Sequence, residues 1–127
     1  MSEQDFDKEK MKEKFKEELG FIPPGVMTGE VLGDDFQQII SDYHEIVWRD
    51  EVIPLKYKYL IAISSAVFAG NEKRAKLEMQ KAVKYGATKE EIIEVLRQVV
   101  WLRGAPTLVK LAPIISFMNK ILNKKEE

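Results

Sequence analysis

The chain contains no cysteine in its 127 residues. Disulfides, thiolate metal sites and any redox cycle that depends on cysteine are therefore excluded within it. Histidine occurs once, at His44. A single histidine without cysteines or a tight acidic cluster is too little for a transition-metal site. We therefore predict neither a metal nor another cofactor.

Long apolar runs and an excess of charge of one sign are also missing. The polar first segment, MSEQDFDKEK, lacks the apolar stretch of a signal peptide, and no run approaches a membrane-spanning length. Twenty basic and twenty-one acidic residues give a formal net charge of −1. This balance offers no electrostatic surface for nucleic acid or an anionic membrane. We expect a cytoplasmic protein whose partners are small molecules or proteins.

Glycine and proline are scarce, at seven and five residues, and 45% of the residues are hydrophobic. This composition is typical of an ordinary globular protein, and the length fits one domain. Nearly every segment has helical rather than alternating periodicity. The first helix is predicted from about Asp5 to Leu19, and the segment 21–33, with its glycines and two prolines, is predicted to be a loop with at most a short helix.

The later helices are marked by residues that favour helix starts. Asp34 is suited to cap the second helix, and Pro54 fits a first helical position, where no N–H is needed. Asn71 or a neighbour starts the fourth helix. Thr88 with Glu91 three residues later forms a capping box for the fifth. A last helix, after a Gly-Ala-Pro turn, contains Pro113, which is expected to bend it.

Residues 54–96 read PLKYKYLIAISSAVFAGNEKRAKLEMQKAVKYGATKEEIIEVL. This segment resembles the core of the carboxymuconolactone decarboxylase and alkyl hydroperoxidase D superfamily. There an apolar helix leads into a second helix with Cys-x-x-Cys-x-x-x-His, and a glycine follows eight residues after the histidine. Gly86 fills the glycine position, and the flanking matches run without a gap over about 44–118.

The resemblance implies an all-α fold, a bundle of about six helices like that of alkyl hydroperoxidase D. It also implies a single domain over 1–127, with its core at about 44–118 and an N-terminal helix and loop at 1–33. Members of the superfamily assemble as trimers or hexamers. We therefore predict a homo-oligomer, either a hexamer built from trimers or a trimer.

The reactive side chains of the superfamily are replaced at all four positions. Glu78 stands where the histidine would be, and Asn71 and Arg74 stand where the two cysteines would be. A glutamate that peroxidase members often carry falls on Tyr59. Asn71 cannot act as a redox nucleophile and Arg74 cannot resolve one, so the thiol peroxidase route is excluded on chemical grounds.

Each replaced residue has a functional and a structural interpretation. Glu78 is suited to general acid or base catalysis, with Arg74 one turn earlier to bind an anion; alternatively, the two form a solvated i,i+4 pair. Tyr59 either faces the same pocket from the neighbouring helix or fills the core. Asn71 and His44 complete the predicted substrate-binding set. A lone histidine also occurs as a partly buried, hydrogen-bonded helix residue.

Two functions of different classes are compatible with these residues. The first is thiol-independent proton transfer of the decarboxylase type, in which Glu78 and Tyr59 act on a small carboxylic or lactone-like substrate that Arg74 holds. The second is a non-catalytic oligomeric scaffold that binds a small anionic molecule or a protein. The second is supported by the change of every relay residue, a pattern that loss of catalysis would produce without special assumptions.

Overall fold

The computed structural model describes residues 8–19 and 31–126, and within these ranges the regular elements are helices. They are α1 (Lys8–Leu19), α2 (Asp34–Val47), α3 (Leu55–Phe68), α4 (Glu72–Lys84), α5 (Lys89–Arg103) and α6 (Thr107–Glu126). The predicted all-α class of about six helices is confirmed. The predicted start of the first helix at Asp5 and the predicted loop up to Glu30 lie outside the described residues.

The chain divides into two compact units, and the boundary in the sequence falls between Arg49 and Asp50. The first unit contains α1 and α2, and the second contains α3 to α6. The predicted single domain over 1–127 stays a prediction, and the two units are described separately.

In the first unit, α2 begins one residue earlier than the sequence suggested. The prediction that Asp34 caps this helix is wrong: Gly33 is the capping residue, and it makes no side-chain capping hydrogen bond. The φ of Gly33 is 110°, a conformation that glycine adopts without strain. Asp34 and Asp35 instead lie in the first turn, where negative charge interacts favourably with the helix dipole.

The second unit is a bundle of four helices around one apolar core. Helix α3 packs against α4 and α5, and α6 packs against α4 and α5. Each helix contributes an apolar stripe, because residues three or four apart share a helix face. The buried stripes are Leu60, Ile63 and Val67 of α3, Ala75, Met79 and Ala82 of α4, Ile92, Leu96 and Val99 of α5, and Leu111, Ile114 and Met118 of α6.

The turn between α3 and α4 is fastened by Arg103 from the end of α5. The Nη1 of Arg103 donates a hydrogen bond to the carbonyl oxygen of Val67 at 3.0 Å, and another to that of Phe68. These carbonyls belong to the last turn of α3, where helical partners run out. Gly70 follows with a φ of 76°, and a Cβ there would lie 3.4 Å from Nη1. The positive φ favours glycine at this turn, and the guanidinium supplies donors to the end of α3.

The capping box predicted for α5 is confirmed. The backbone N–H of Glu91 donates to Oγ1 of Thr88 at 3.1 Å, and the backbone N–H of Thr88 donates to Oε1 of Glu91 at 2.9 Å. Lys56 of α3 lies 3.0 Å from the other carboxylate oxygen of Glu91. The bond from the Thr88 backbone, together with Lys56, lowers the pKa of the Glu91 carboxyl below its usual 4.5. The start of α5 is thereby tied to α3.

Helix α6 continues through Pro113. Proline has no N–H, so the carbonyl of Val109, four residues earlier, loses the helical hydrogen bond from that position. Neither α6 nor another helix in the described ranges combines the length and apolar character needed to cross a membrane.

Candidate functional site

A carboxylate is buried on the core side of α4. Glu78 is 1% exposed, although it is ionisable and lies in the middle of a helix rich in lysine. The reason is its position: Ala75, Met79 and Ala82 lie three residues before, one after and four after it, and all three are fully buried. The packing that buries this apolar stripe therefore buries Glu78 too.

Arg74 forms the closest ion pair of this carboxylate. Its Nε lies 3.0 Å from Oε1 of Glu78, as the i,i+4 spacing allows. The side chain of Arg74 is 54% exposed, whereas that of Glu78 is 1% exposed. The pair is therefore not the solvated surface pair that was one of the two interpretations. One end faces solvent, and the other lies inside the bundle.

Lys81 is a second cation at the same carboxylate, and the sequence analysis missed it. Its Nζ lies 3.4 Å from Oε1 of Glu78, and its side chain is 5% exposed. Burial lowers the pKa of the Lys81 ammonium below the usual 10.5; the Glu78 carboxylate opposes this effect and the Arg74 charge adds to it. The spacing of Arg74, Glu78 and Lys81, at i, i+4 and i+7, was the signal that could have revealed it.

These three residues form the charged cluster (Arg74, Glu78 and Lys81), which contains more positive than negative groups. When all three are ionised, two cations face one carboxylate. Both cations contact Oε1, and within the described part of the chain Oε2 of Glu78 has no hydrogen-bond partner. A buried polar oxygen is normally hydrogen-bonded, so an unpartnered one at a charged site is a position for a ligand or a transferable proton.

Tyr59 of α3 lies beside the charged cluster. It is 2% exposed, and its ring stacks on that of Tyr85, with centroids 5.4 Å apart and planes inclined by 22°. The Nζ of Lys81 lies 6.0 Å from the centre of the Tyr59 ring, at the limit of a cation–π contact. The Tyr59 ring therefore lies as an aromatic surface beside Lys81. Tyr59 also fills core space, and the two interpretations of this residue are compatible.

The remaining two predicted site residues are Asn71 and His44. Asn71 is the N-cap of α4: its Oδ1 accepts a hydrogen bond from the backbone N–H of Arg74 at 3.0 Å. It therefore fixes the start of the helix that carries the charged cluster. His44 lies in α2 of the first unit, where its ring centre is 6.3 Å from that of Trp48. Contact of Asn71 or His44 with a ligand stays a prediction.

The chemistry of the charged cluster favours an anion over a metal cation. In the described ranges no three His, Cys, Asp or Glu side chains come together in a group able to hold a metal ion. The cluster has one carboxylate and two cations, and a positive metal would be repelled by both. An anionic ligand would instead balance the extra positive charge.

Comparison with known proteins connects this fold to one family. The sequence pattern of the Carboxymuconolactone decarboxylase family matches residues 34–116. The chain is 33% identical over 96 residues to the uncharacterized protein MJ0742 of Methanocaldococcus jannaschii, covering 75% of this chain and 92% of that protein. It also resembles the crystal structure of apo-lpg0406, a carboxymuconolactone decarboxylase family protein from Legionella pneumophila, with a TM-score of 0.60, 27% identity and 88% of each chain covered.

Proposed function

Because the chain belongs to the carboxymuconolactone decarboxylase family, we propose that it is an enzyme that transfers a proton on a small carboxylate or lactone substrate. Glu78 is the general acid and base. The observation that supports this is its unequal pair of oxygens: Oε1 contacts two cations, and Oε2 has no partner among the described residues. A carboxylate that is fixed through one oxygen presents the other to a substrate proton.

Arg74 binds the substrate carboxylate in this proposal. Its Nε contacts Glu78, and the guanidinium retains further N–H donors that suit a carboxylate. Because the Arg74 side chain is half exposed, an anion reaches it from solvent before it meets the buried carboxylate. Tyr59 positions the substrate from α3, and Asn71 and His44 are proposed as further ligand contacts. The thiol peroxidase route is not part of this proposal, because the chain has no cysteine.

The test follows a proton on carbon. The protein is incubated in D₂O with small keto acids and with lactones that carry a carboxylate, and proton NMR records deuterium uptake and loss of carbon dioxide. We expect Glu78→Gln to slow turnover by about a hundred-fold or more, because general acid–base groups contribute at least that much. Turnover by Glu78→Gln at the wild-type rate would contradict the proposal.

The matched control is Glu72→Gln. Glu72 is a glutamate of the same helix that pairs with Lys76 at 2.9 Å in an exposed i,i+4 pair. Glu72→Gln should keep wild-type turnover. Circular dichroism of each variant checks that the helices persist. If Glu78→Gln does not fold, Glu78→Asp retains the charge but withdraws the carboxylate by one methylene, and the same loss of turnover is expected.

A specific observation favours the second candidate, a non-catalytic oligomeric scaffold. Large apolar side chains are exposed on both sides of the turn between α5 and α6, and Trp101 is 85% and Val109 80% exposed. Leu102 and Leu108 extend this patch. Exposed apolar surface of this kind indicates an interface. We propose that copies of the chain assemble through it, as a hexamer built from trimers.

Native mass spectrometry tests whether the chain assembles. Turnover assays test whether the scaffold is non-catalytic. The wild type should be an oligomer at micromolar concentration, and Trp101→Lys should shift it toward smaller species, because it places a charge in the patch. A wild-type protein that is only monomeric would exclude the assembly. Multiple turnovers on any substrate of the panel would exclude the non-catalytic scaffold.

A further inference from the structure

Lys81 is a buried amine to which the proposed proton transfer assigns no chemical role. Lysine is rarely buried unless its charge is fully compensated. Here the side chain is 5% exposed, and the one ion-pair contact that it makes with the described residues, to Oε1 of Glu78, is 3.4 Å long. Arg74 contacts the same oxygen at the shorter distance of 3.0 Å. The negative charge of Glu78 therefore compensates the charge of Arg74 more than that of Lys81.

The surroundings of Lys81 add little further compensation. An ammonium group has three N–H donors, and within the described residues a single side-chain oxygen accepts from it. The Tyr59 ring lies at the outer limit of a cation–π contact. Release of a proton from the Lys81 ammonium removes the excess charge. Burial lowers the pKa of Lys81, and a lower pKa favours this release. Lysines that are desolvated or placed next to another cation are activated as nucleophiles in this way.

We propose that Lys81 is a covalent nucleophile that forms an imine with a small 3-oxo acid held by Arg74. This inference rests on the proposed function of the Glu78 site and names its substrate class. The inference depends on the contacts of Oε1 of Glu78 with two cations. In the proposed complex, the half-exposed Arg74 binds the substrate carboxylate, and the buried Lys81 attacks the keto carbon. A short 3-oxo acid carries both groups, with one carbon between its carboxylate and its keto carbon.

The reaction balances with water as the co-reactant. Lys81 gives a proton to the Glu78 carboxylate and attacks the keto carbon as the neutral amine, so that a C–N bond forms. One proton then passes from the attached nitrogen to the former keto oxygen, and Glu78 returns the other, so that this oxygen leaves as water and a protonated imine remains. The bond to the carboxylate then breaks, its electron pair moves to the imine nitrogen, and carbon dioxide and an enamine result.

The second half of the cycle restores Lys81. The enamine carbon takes a proton that Glu78 has drawn from solvent water, and this re-forms the protonated imine. Water adds to the imine carbon, the C–N bond breaks, and a ketone and the lysine ammonium are released. Each turnover consumes one proton and forms one carbon dioxide, and nothing is oxidised or reduced. Glu78 serves as the proton carrier in both halves.

Borohydride trapping of the full-length protein tests this inference. The wild type is incubated with acetoacetate and sodium borohydride, which reduces an imine to a stable secondary amine, and digested peptides are analysed by mass spectrometry. We expect the label on the peptide that contains Lys81, with the mass of the bound acid or of its decarboxylated ketone. No label, or a label spread over the exposed lysines, would overturn the inference. This result requires no variant to fold.

Two substitutions separate this inference from the proposed function. Lys81→Arg keeps a cation but cannot form the imine, so label and acetoacetate turnover should both disappear. Lys84→Arg, at an exposed lysine of the same helix, should change neither. If Glu78→Gln loses proton exchange while Lys81→Arg retains turnover and the wild type is not labelled, the proposed function stands and the nucleophile is excluded. A label on Lys81, together with turnover that does not depend on Glu78, would support the nucleophile and contradict the proposed function.

Discussion

The Nε of Arg74 lies 3.0 Å from Oε1 of Glu78, and this ion pair connects a half-exposed guanidinium with a carboxylate that is sealed from water. An exposed pair at this spacing stabilises a helix by only about 0.2–0.5 kcal/mol. Burial of one partner changes that balance, because the carboxylate loses its hydration and has few other groups to replace it. Four expectations follow from the energetics of this site and of the helix junctions.

Arg74→Gln should destabilise the protein by about 1–3 kcal/mol, because it leaves a buried carboxylate with a weaker partner. Lys76→Gln is the matched control on the same helix, since Lys76 pairs with the exposed Glu72. Its cost should be about 0.5 kcal/mol or less. Urea unfolding of both variants measures the difference, and equal costs would show that Lys81 alone is sufficient for Glu78.

Lys81→Met should change how stability depends on pH. The pKa of Lys81 is lowered in the folded state, so between that pKa and 10.5 the unfolded chain binds more protons. Unfolding free energy therefore rises with pH in this window for the wild type. Lys81→Met lacks this rise. Urea midpoints at neutral pH and near pH 10 should separate the two proteins, with the wild type gaining on the variant.

The control for this pH dependence is Lys84→Met. Lys84 lies one turn from the end of the cluster and is exposed. Its substitution should leave the wild-type pH dependence intact. Parallel curves for the wild type and Lys81→Met would mean that the folded and unfolded states bind the Lys81 proton equally.

Thr88→Ala should cost about 1 kcal/mol, which is the usual cost of removing an N-cap side chain. Glu91→Gln tests the other half of the box. The pKa of Glu91 is lowered in the folded state, so its contribution is present above 4.5 and is lost as the pH falls through the lowered value. The wild type should lose more stability than Glu91→Gln on acidification. Thermal unfolding at neutral pH and near pH 3 measures this.

Arg103→Met should destabilise the protein by about 2 kcal/mol, because two carbonyls at the end of α3 lose a charged donor. Arg97→Met provides the comparison, since Arg97 is an exposed arginine of the same helix. That variant should stay within about 0.5 kcal/mol of the wild type. If the two variants unfold at the same urea concentration, the fastening of the α3–α4 turn has no energetic importance.

Local rules predicted the junctions well and the site only in part. Thr88 and Glu91 form their capping box from four neighbouring residues, so the sequence contains all the information needed. Asp34 failed as a cap because Gly33 can adopt a φ that starts the helix one residue earlier. Helix periodicity placed Arg74 beside Glu78. It could not show which end of the pair is buried, since that depends on how α3 and α6 pack against α4.

Lys81 illustrates the same limit. A lysine at i+7 from Arg74 is on the right face, but lysines are usually found at the surface, and composition favours that interpretation. The packing of α3 against α4 places the Tyr59 ring, which stacks on Tyr85, beside its Nζ, and helix periodicity does not show this packing. Asn71 shows the converse case, because a residue chosen for its family position has a purely local contact at the helix start.

All charged members of the cluster belong to one helix of 13 residues, α4. Their mutual geometry is therefore set by the helical pitch and not by the meeting of separate segments of chain. Neighbouring helices can be exchanged without changing it, whereas deletion of one residue between Arg74 and Lys81 would rotate one part against the other by about 100°. The cluster is a transplantable unit: any helical host that buries the stripe of Ala75, Met79 and Ala82 would inherit its two cations and its single carboxylate in register.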